Sequence, residues 1–177
     1  MTLQQTDAAW RPGDVTGSAG KAPVGLIHGT VIRTRQGDRL IETLSPGDDI
    51  VTRRHGFSTL RAVTQSQRVV STICVRAGSL GHTLPGTDTL LPSAQTILIR
   101  DWRAQAMIGQ PQGMIAAGHL VDDGFVCDVG ERQLSLYVLS FDRSEIIYAG
   151  GLEVLCGAPA PRWIRPVDRT VPNQPLM

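Results

Sequence analysis

The chain has 177 residues, 41% of them hydrophobic, and a formal net charge of +1. It is therefore long enough for one compact domain with a core, and it lacks the strong charge that would favour nucleic acid or a membrane surface as a partner. Its apolar runs fall short of the roughly 20 residues that span a bilayer, and residues 1–21 lack a basic head followed by an apolar run, so we expect a soluble protein without a Sec signal peptide, cytoplasmic by default.

The three cysteines, Cys74, Cys127 and Cys156, are far apart in the sequence and show no C-x-x-C spacing. An odd count argues against a disulfide framework, and the spacing predicts no metal site. We expect each of them to behave as a small hydrophobic residue in apolar surroundings. Lys21 is the only lysine, and the scattered arginines are typical of a solvated surface.

Turn signals that recur every eight to twelve or so residues, between short β-branched runs, predict an all-β domain. Residues 1–24 hold polar, Gly and Pro residues without periodicity and are expected to form a flexible N-terminal segment. Pro159, Pro161, Pro166, Pro172 and Pro175 predict an extended tail over 158–177, because proline is excluded from central strands. The expected strands are 30–35, 49–54, 58–64, 67–76, 96–100, 125–129, 134–142, 145–149 and 152–155.

Several turns and one helix can be predicted from local chemistry. Gly37 is placed to accept a positive φ in a hairpin, and Pro46 followed by Gly47 is the signature of a type II turn. The stretch 77–113 is rich in Gly, Pro and Thr and is expected to form loops around one strand. Residues 114–121 are expected to form a short helix, which Gly118 weakens.

Five stretches in order resemble the Hint (hedgehog/intein) domain family, and most closely its bacterial group. The first is Gly25-Leu26-Ile27-His28-Gly29-Thr30, and the others are 44–48, 75–81, 116–121 and 141–152. The resemblance covers residues 25–157. It implies the all-β Hint fold, a horseshoe of short antiparallel strands, between the two terminal segments.

The resemblance also implies which residues should carry the family's self-cleavage, and this chain departs at each of them. The family's nucleophilic Cys or Ser lies four residues before the Gly of the Gly-Thr step, where this chain has Gly25. The family's His, which hydrogen-bonds the peptide to be cleaved, corresponds to Gln95, and a second His corresponds to Ser144. Because neutral Gln can hydrogen-bond but does not take up or release a proton near pH 7, the acid–base function is expected to be lost with the nucleophile.

Other residues near these positions could substitute for the missing groups. His28 and Ser93 are the candidates, although a turn histidine is usually a partly exposed surface residue and Ser93 does not begin the domain. Thr30 is expected to satisfy backbone groups at the start of a strand. Cys156 could face the old active site, but a buried small hydrophobe is the simpler interpretation.

The charged and imidazole groups nearby have plain interpretations. Asp88 and Asp101 flank the Gln95 region and are expected to be surface residues. His55 lies in a Gly-containing turn, where a solvated histidine is the default.

Three functions follow. The first is a Hint-fold domain that has lost self-cleavage and serves as a binding or structural module, holding an extended peptide or partner protein in its groove by strand addition. The second is an active self-processing domain with a non-standard nucleophile such as His28 or Ser93. The third is an unrelated all-β scaffold. None of them calls for a cofactor, a metal or nucleic acid.

Overall fold

In a computed structural model of the chain, the structure describes residues 23–81 and 83–157. The predicted flexible segment 1–24, apart from Pro23 and Val24, and the predicted tail 158–177 lie outside the described residues. No helix among the described residues is long and apolar enough to cross a membrane.

Twelve β-strands and one α-helix make up the described part of the chain. The strands are β1 Leu26–Ile27, β2 Val31–Thr34, β3 Gly37–Leu40, β4 Asp49–Thr52, β5 Gly56–Thr59, β6 Ala62–Val75, β7 Thr89–Pro92, β8 Thr96–Ile99, β9 Gly113–Ala116, β10 Val126–Ser140, β11 Glu145–Ala149 and β12 Leu152–Cys156, and the helix is α1 Trp102–Ile108. Two 3₁₀ turns cover Ile41–Thr43 and Ala117–Leu120. All pairings between these strands are antiparallel, so the all-β prediction is confirmed.

The strands form two sheets that share one core. The smaller sheet has the order β1-β10-β6-β7, and the larger has β3-β2-β4-β11-β12-β8-β9, with β5 paired to β4. Buried residues of the smaller sheet, such as Val75 and Leu139, pack with Ile32 and Ile147 of the larger one. Burial alternates along β4, β8 and β11, as the period of two of a strand requires.

The two predicted turns are present and connect the first strands of the larger sheet. Gly37 has a φ of 106° where β3 pairs back onto β2, and Thr34 is its partner in the register. Gly47 has a φ of 99°, and the Asp48 N–H donates to the Ser45 carbonyl at 3.1 Å across the turn. Glycine is suited to both positions because other residues rarely adopt these φ values.

Two strands are longer than predicted. The stretches 125–129 and 134–142 belong to one strand, β10, and residues 62–75 form the equally continuous β6. They pair along almost their whole length, from Val126 opposite Val75 to Ser140 opposite Ala62. The predicted strand 58–64 is instead interrupted, because Leu60 and Arg61 separate β5 from β6.

The region 77–113 is not the loop region that was predicted. It contains β7 and the helix α1 as well as β8. Asp101 caps α1, its side chain accepting from the Arg103 backbone N–H at 2.9 Å, and Gly109 ends the helix with a φ of 68°. An Asp cap and a left-handed Gly are the usual start and stop signals of a helix.

Arg103 contradicts the prediction that the arginines are solvated, because it is buried on α1. Its guanidinium donates to the Ser79 carbonyl at 3.1 Å and to Asp101 at 2.6 Å, and lies 3.5 Å from Asp122. Asp101 is accordingly part of an ion pair rather than a free surface residue. This pairing ties α1 to two loops.

The predicted helix over 114–121 is wrong in its first half. Residues 113–116 form strand β9 against β8, and only Ala117–Leu120 turns, as a 3₁₀ segment. Gly118 packs so closely on the chain that an added Cβ would lie 3.1 Å from the Ser93 Cβ. Its N–H donates to the Ser93 carbonyl at 2.8 Å, so this glycine allows a close approach of the two segments.

Candidate functional site

Gly25 and Gln95, which are 70 residues apart in the sequence, meet in the interior. Gly25 immediately precedes β1, and Gln95 ends the turn between β7 and β8, where its N–H donates to the Pro92 carbonyl at 2.9 Å. The Gly25 backbone N–H donates a buried hydrogen bond of 2.9 Å to the Gln95 Oε1. The nitrogen in this bond is that of the Val24–Gly25 peptide.

The Gln95 side chain is fixed at both ends. It is buried, and its Nε2 donates to the Leu155 carbonyl at 2.9 Å and to the Thr96 carbonyl at 3.3 Å. These partners require the amide oxygen to point at Gly25 and the amide nitrogen to point at β12. Gln95 therefore links β1, β8 and β12 as a neutral group that neither gains nor loses a proton near pH 7.

The backbone of Gly25 is shaped for glycine. Its φ is 151°, and a Cβ built on it would lie 3.0 Å from the Tyr137 carbonyl oxygen and 3.4 Å from the Leu136 Cβ. Real Cβ atoms rarely come so close to a backbone oxygen, and L-residues rarely adopt this φ. A nucleophilic side chain at position 25 would require the start of β1 to move relative to β10.

His28 lies at the surface beyond β1. Its Nδ1 is 3.3 Å from the Tyr137 hydroxyl, its Nε2 is 3.6 Å from Glu42, and its side chain is 59% exposed. Hydrogen bonds from its own backbone N–H and from that of Gly29, together with the nearby His28, hold the pKa of Glu42 below its usual value. The His28 ring thus contacts Tyr137 and Glu42, as expected for a partly exposed turn histidine.

Ser93 occupies the same turn as Gln95, two residues earlier. Its backbone N–H donates to the Ser71 carbonyl at 2.8 Å and its carbonyl accepts from Gly118. Thr30 confirms the prediction made for it, because its hydroxyl donates to the Ile27 carbonyl at 2.6 Å. The described contacts of both residues serve the local backbone.

Ser144 lies in the turn between β10 and β11. It lines a pocket of about 210 Å³ together with Leu155, the residue whose carbonyl accepts from Gln95. The structure thus brings Gly25 and Gln95 into direct contact. Ser144 lies in the same pocket as Leu155, which contacts Gln95.

Cys156 ends β12, next to Leu155, and packs against the core. Burial raises the pKa of its thiol to about 12. The thiol is therefore protonated at neutral pH and is a poor nucleophile. Among the described residues, no group of three or more His, Cys, Asp or Glu side chains is arranged to hold a metal ion.

Sequence reasoning missed two parts of this region. The Leu155 carbonyl that anchors Gln95 is a backbone group, so no side-chain signal marks it. His55 is exposed, as expected, but its Nδ1 lies 2.9 Å from Glu145, a partner that was not predicted. This carboxylate is only 2% exposed and also accepts from the Ser58 hydroxyl at 2.7 Å. The sequence Glu-Ile-Ile-Tyr-Ala of β11 has no polar–apolar alternation, so nothing in it indicated that Glu145 is buried.

Comparisons with solved structures find inteins. The bacterial intein-like domain from Clostridium thermocellum is 14% identical to this chain with a TM-score of 0.50, covering 77% of this chain and 100% of that one. The gp41-1 intein is 13% identical with a TM-score of 0.49, covering 77% of this chain and all of the intein. The Msm DnaB1 intein splicing domain, solved with zinc bound, gives 13% identity and a TM-score of 0.49, with 75% and 99% covered.

At 14% identity, the similarity to the Clostridium domain supports the assignment of the fold alone. No curated protein matches the chain. A family model described as the Hint domain, however, matches residues 24–155, which is most of the sequence. The antiparallel sheets, the order of the motifs and this match agree, and the chain belongs to the Hint domain family.

Proposed function

We propose that this Hint domain does not cleave its Val24–Gly25 bond and acts as a folded binding module. The observation that carries the proposal is the buried hydrogen bond from the Gly25 N–H to the Gln95 Oε1. The residues that correspond to the family's nucleophile and His are in contact, and neither has the side chain that the reaction requires.

Cleavage by the family's route needs two groups at this bond. A thiol or hydroxyl must attack the Val24 carbonyl, and a proton must reach the Gly25 nitrogen as it leaves. Gly25 has no side chain, and the Gln95 oxygen that faces this nitrogen is an acceptor. The Gln95 amide protons point to the Leu155 and Thr96 carbonyls. Without both groups the peptide bond is stable on laboratory timescales.

The contacts of the two substitute candidates also favour an inactive site. The His28 imidazole contacts Tyr137 and Glu42, and Ser93 is held by backbone hydrogen bonds in its turn. None of the contacts described for these two residues involves the Val24 carbonyl.

Intact-mass measurement tests the inactive site directly. The purified chain is incubated at neutral pH with and without dithiothreitol, beside Gly25→Cys, Gln95→His and the double variant. We expect the unmodified chain and both single variants to keep the Val24–Gly25 bond, since nucleophile and base act as a unit. Only the double variant has both groups, and it can release residues 1–24 once the start of β1 shifts to admit the new side chain. Cleavage at this bond in the unmodified chain would overturn the proposal and direct attention to His28 and Ser93.

The binding role is supported by an open edge on β10. β1 covers only Leu136 and Tyr137 of this strand, and the Ser135 carbonyl accepts from the His28 N–H at 3.1 Å. Because backbone groups alternate in direction along a strand, Gln133 and Glu131 present their N–H and C=O groups on the same edge. No described strand pairs with that edge there, so an extended peptide can add to the sheet beside β1.

A proline substitution tests strand addition. Peptides selected from a displayed random library for binding to the domain are measured against the unmodified chain, Gln133→Pro and Gln133→Ala. Gln133→Pro removes the outward N–H and is tolerated at an edge, so we expect at least tenfold weaker binding. Gln133→Ala keeps the N–H and should bind normally. Binding that is equal for all three chains, all of them folded by circular dichroism, would rule out this edge.

A further inference from the structure

Two cysteines that are 53 positions apart in the sequence face each other across β6 and β10. Cys74 is the register partner of Cys127, next to the pair Val75 and Val126. Directly opposed residues in an antiparallel pair project their side chains from the same face, with Cβ atoms about 4.5–5.5 Å apart. The two thiols are therefore neighbours, although nothing in the sequence spacing indicated it.

The hydrogen-bond pattern fixes which kind of pair this is. The Arg76 N–H donates to the Phe125 carbonyl at 2.9 Å, two positions further along the same register. Hydrogen-bonded and non-hydrogen-bonded pairs alternate, so Cys74 and Cys127 form a hydrogen-bonded pair with Cα atoms about 5.5 Å apart. Disulfides span Cα separations of about 4.4–6.8 Å, a range that includes this pair, but they need Cβ atoms about 3.5–4.5 Å apart. A hydrogen-bonded pair holds its Cβ atoms farther apart than that, so the two strands must approach by about 1 Å before the bond can form.

An irregularity of the backbone close to Cys127 can let the two strands come closer, as a bond between the sulfur atoms requires. The register of β10 shifts between Asp128 and Glu131, and Gly130 has a φ of 77° at this irregularity. Bulges of this kind increase the local twist of a strand pair. Both cysteines are free and partly exposed, so a small oxidant can reach them.

The two thiols also interact electrostatically. The pKa of the Cys74 thiol is raised by burial and, to a smaller extent, by the Asp88 carboxylate and by Cys127. A raised pKa slows attack by this thiol and does not prevent it once a mixed disulfide has formed on its neighbour.

We propose that Cys74 and Cys127 form a redox-modification site that closes to a reversible cross-strand disulfide. With a low-molecular-weight disulfide such as oxidised glutathione, one cysteine attacks and releases one glutathione thiol. The second cysteine then attacks the mixed disulfide, the S–S bond forms between the strands and a second glutathione thiol leaves. The two cysteine protons end on the two released thiols, and the oxidant takes up the two electrons.

The closed loop includes Gln95. Residues 74–127 contain β7, the turn with Gln95, β8, α1 and β9. A bond between the ends of this segment would restrict the chain that carries Gln95, and it would stabilise the fold by reducing the freedom of the unfolded chain. This inference does not depend on whether the domain cleaves itself or binds a peptide.

Peptide mapping under non-reducing conditions tests the proposal. The folded chain is incubated with excess oxidised glutathione, quenched with acid and digested, beside Cys74→Ser, Cys127→Ser and the matched control Cys156→Ser. We expect a Cys74–Cys127 cross-link in the unmodified chain and in Cys156→Ser, and a rise in Tm of at least about 5 °C that dithiothreitol reverses.

Three results would overturn it: a stable glutathione adduct without a cross-link, a bond that involves Cys156, or covalent dimers only. If a serine variant fails to fold, the map of the unmodified chain still decides.

Discussion

Replacing Gln95 tests the central contact of the structure. Gln95→Ala leaves the buried Gly25 N–H without an acceptor and removes a donor to the Leu155 carbonyl. A buried polar group left without its partner costs about 1–3 kcal/mol. Losing the bond costs less free energy at the Leu155 carbonyl than at the Gly25 N–H, because a carbonyl with two lone pairs tolerates incomplete pairing better. The removed side chain also leaves a small cavity. We expect the free energy of unfolding to fall by about 3 kcal/mol.

Two further variants separate the contributions. Gln95→Met fills most of the volume but restores no hydrogen bond, so we expect a loss of about 2 kcal/mol. Gln67→Ala changes the same residue type at an exposed position of β6 and should stay within about 0.5 kcal/mol of the unmodified chain. The measurement is urea unfolding followed by tryptophan fluorescence and circular dichroism, with the slope compared among variants.

Hydrogen exchange adds a residue-level readout. The Gly25 amide should exchange much faster in Gln95→Ala and Gln95→Met, whereas amides in the centre of the β6–β10 pair should change only with global stability. If Gln95→Ala is no less stable than Gln67→Ala, or if the Gly25 amide stays protected, the hydrogen bond is not the link between β1, β8 and β12 that we describe.

Three more results are expected. Three backbone N–H groups and Arg103 lower the pKa of Asp122 from 3.8 to about 2. The contribution of Asp122 to stability is therefore present above pH 4 and is lost as the pH falls through 2; after discounting for solvent exposure it amounts to about 1 kcal/mol. An Asp122→Asn variant should show a flatter acid-unfolding profile. Gly25→Ala forces a Cβ toward the Tyr137 carbonyl and should lower stability by about 1–3 kcal/mol, whereas an unchanged Tm would show that the start of β1 adjusts freely. Glu145→Ala removes the partner of His55 and should cost about 2 kcal/mol in urea unfolding, with a loss under 0.5 kcal/mol speaking against that pairing.

The sequence was a sufficient guide to the strands that have local signals. Short runs rich in β-branched residues predicted β4, β8 and β11, and Pro46 with Gly47 predicted its turn correctly. The order of the family motifs also anticipated that Gly25 and Gln95 would correspond to one site, and in the structure they are in contact. These features depend on short windows of sequence or on motif order.

Features that depend on distant partners could not be predicted in this way. The middle of β6, around Gln67 and Arg68, has no apolar alternation, and it is a strand because β10 pairs with it. The helix α1 was hidden in a Gly- and Pro-rich region, although Asp101 is a recognisable cap. The opposition of Cys74 and Cys127 follows only from the register, so their distance in the sequence was misleading.

The long β6–β10 pair has a consequence for how the chain folds during synthesis. Every contact in this pair joins residues roughly 50 to 80 positions apart, and such non-local pairing forms slowly because a large loop must close first. Translation proceeds at about 5–20 residues per second, so β6, with its apolar residues Val70, Ile73 and Val75, emerges several seconds before β10 can cover it. During that interval β7, which pairs with the last residues of β6, is the described strand that can cover part of it and so limit association with other chains.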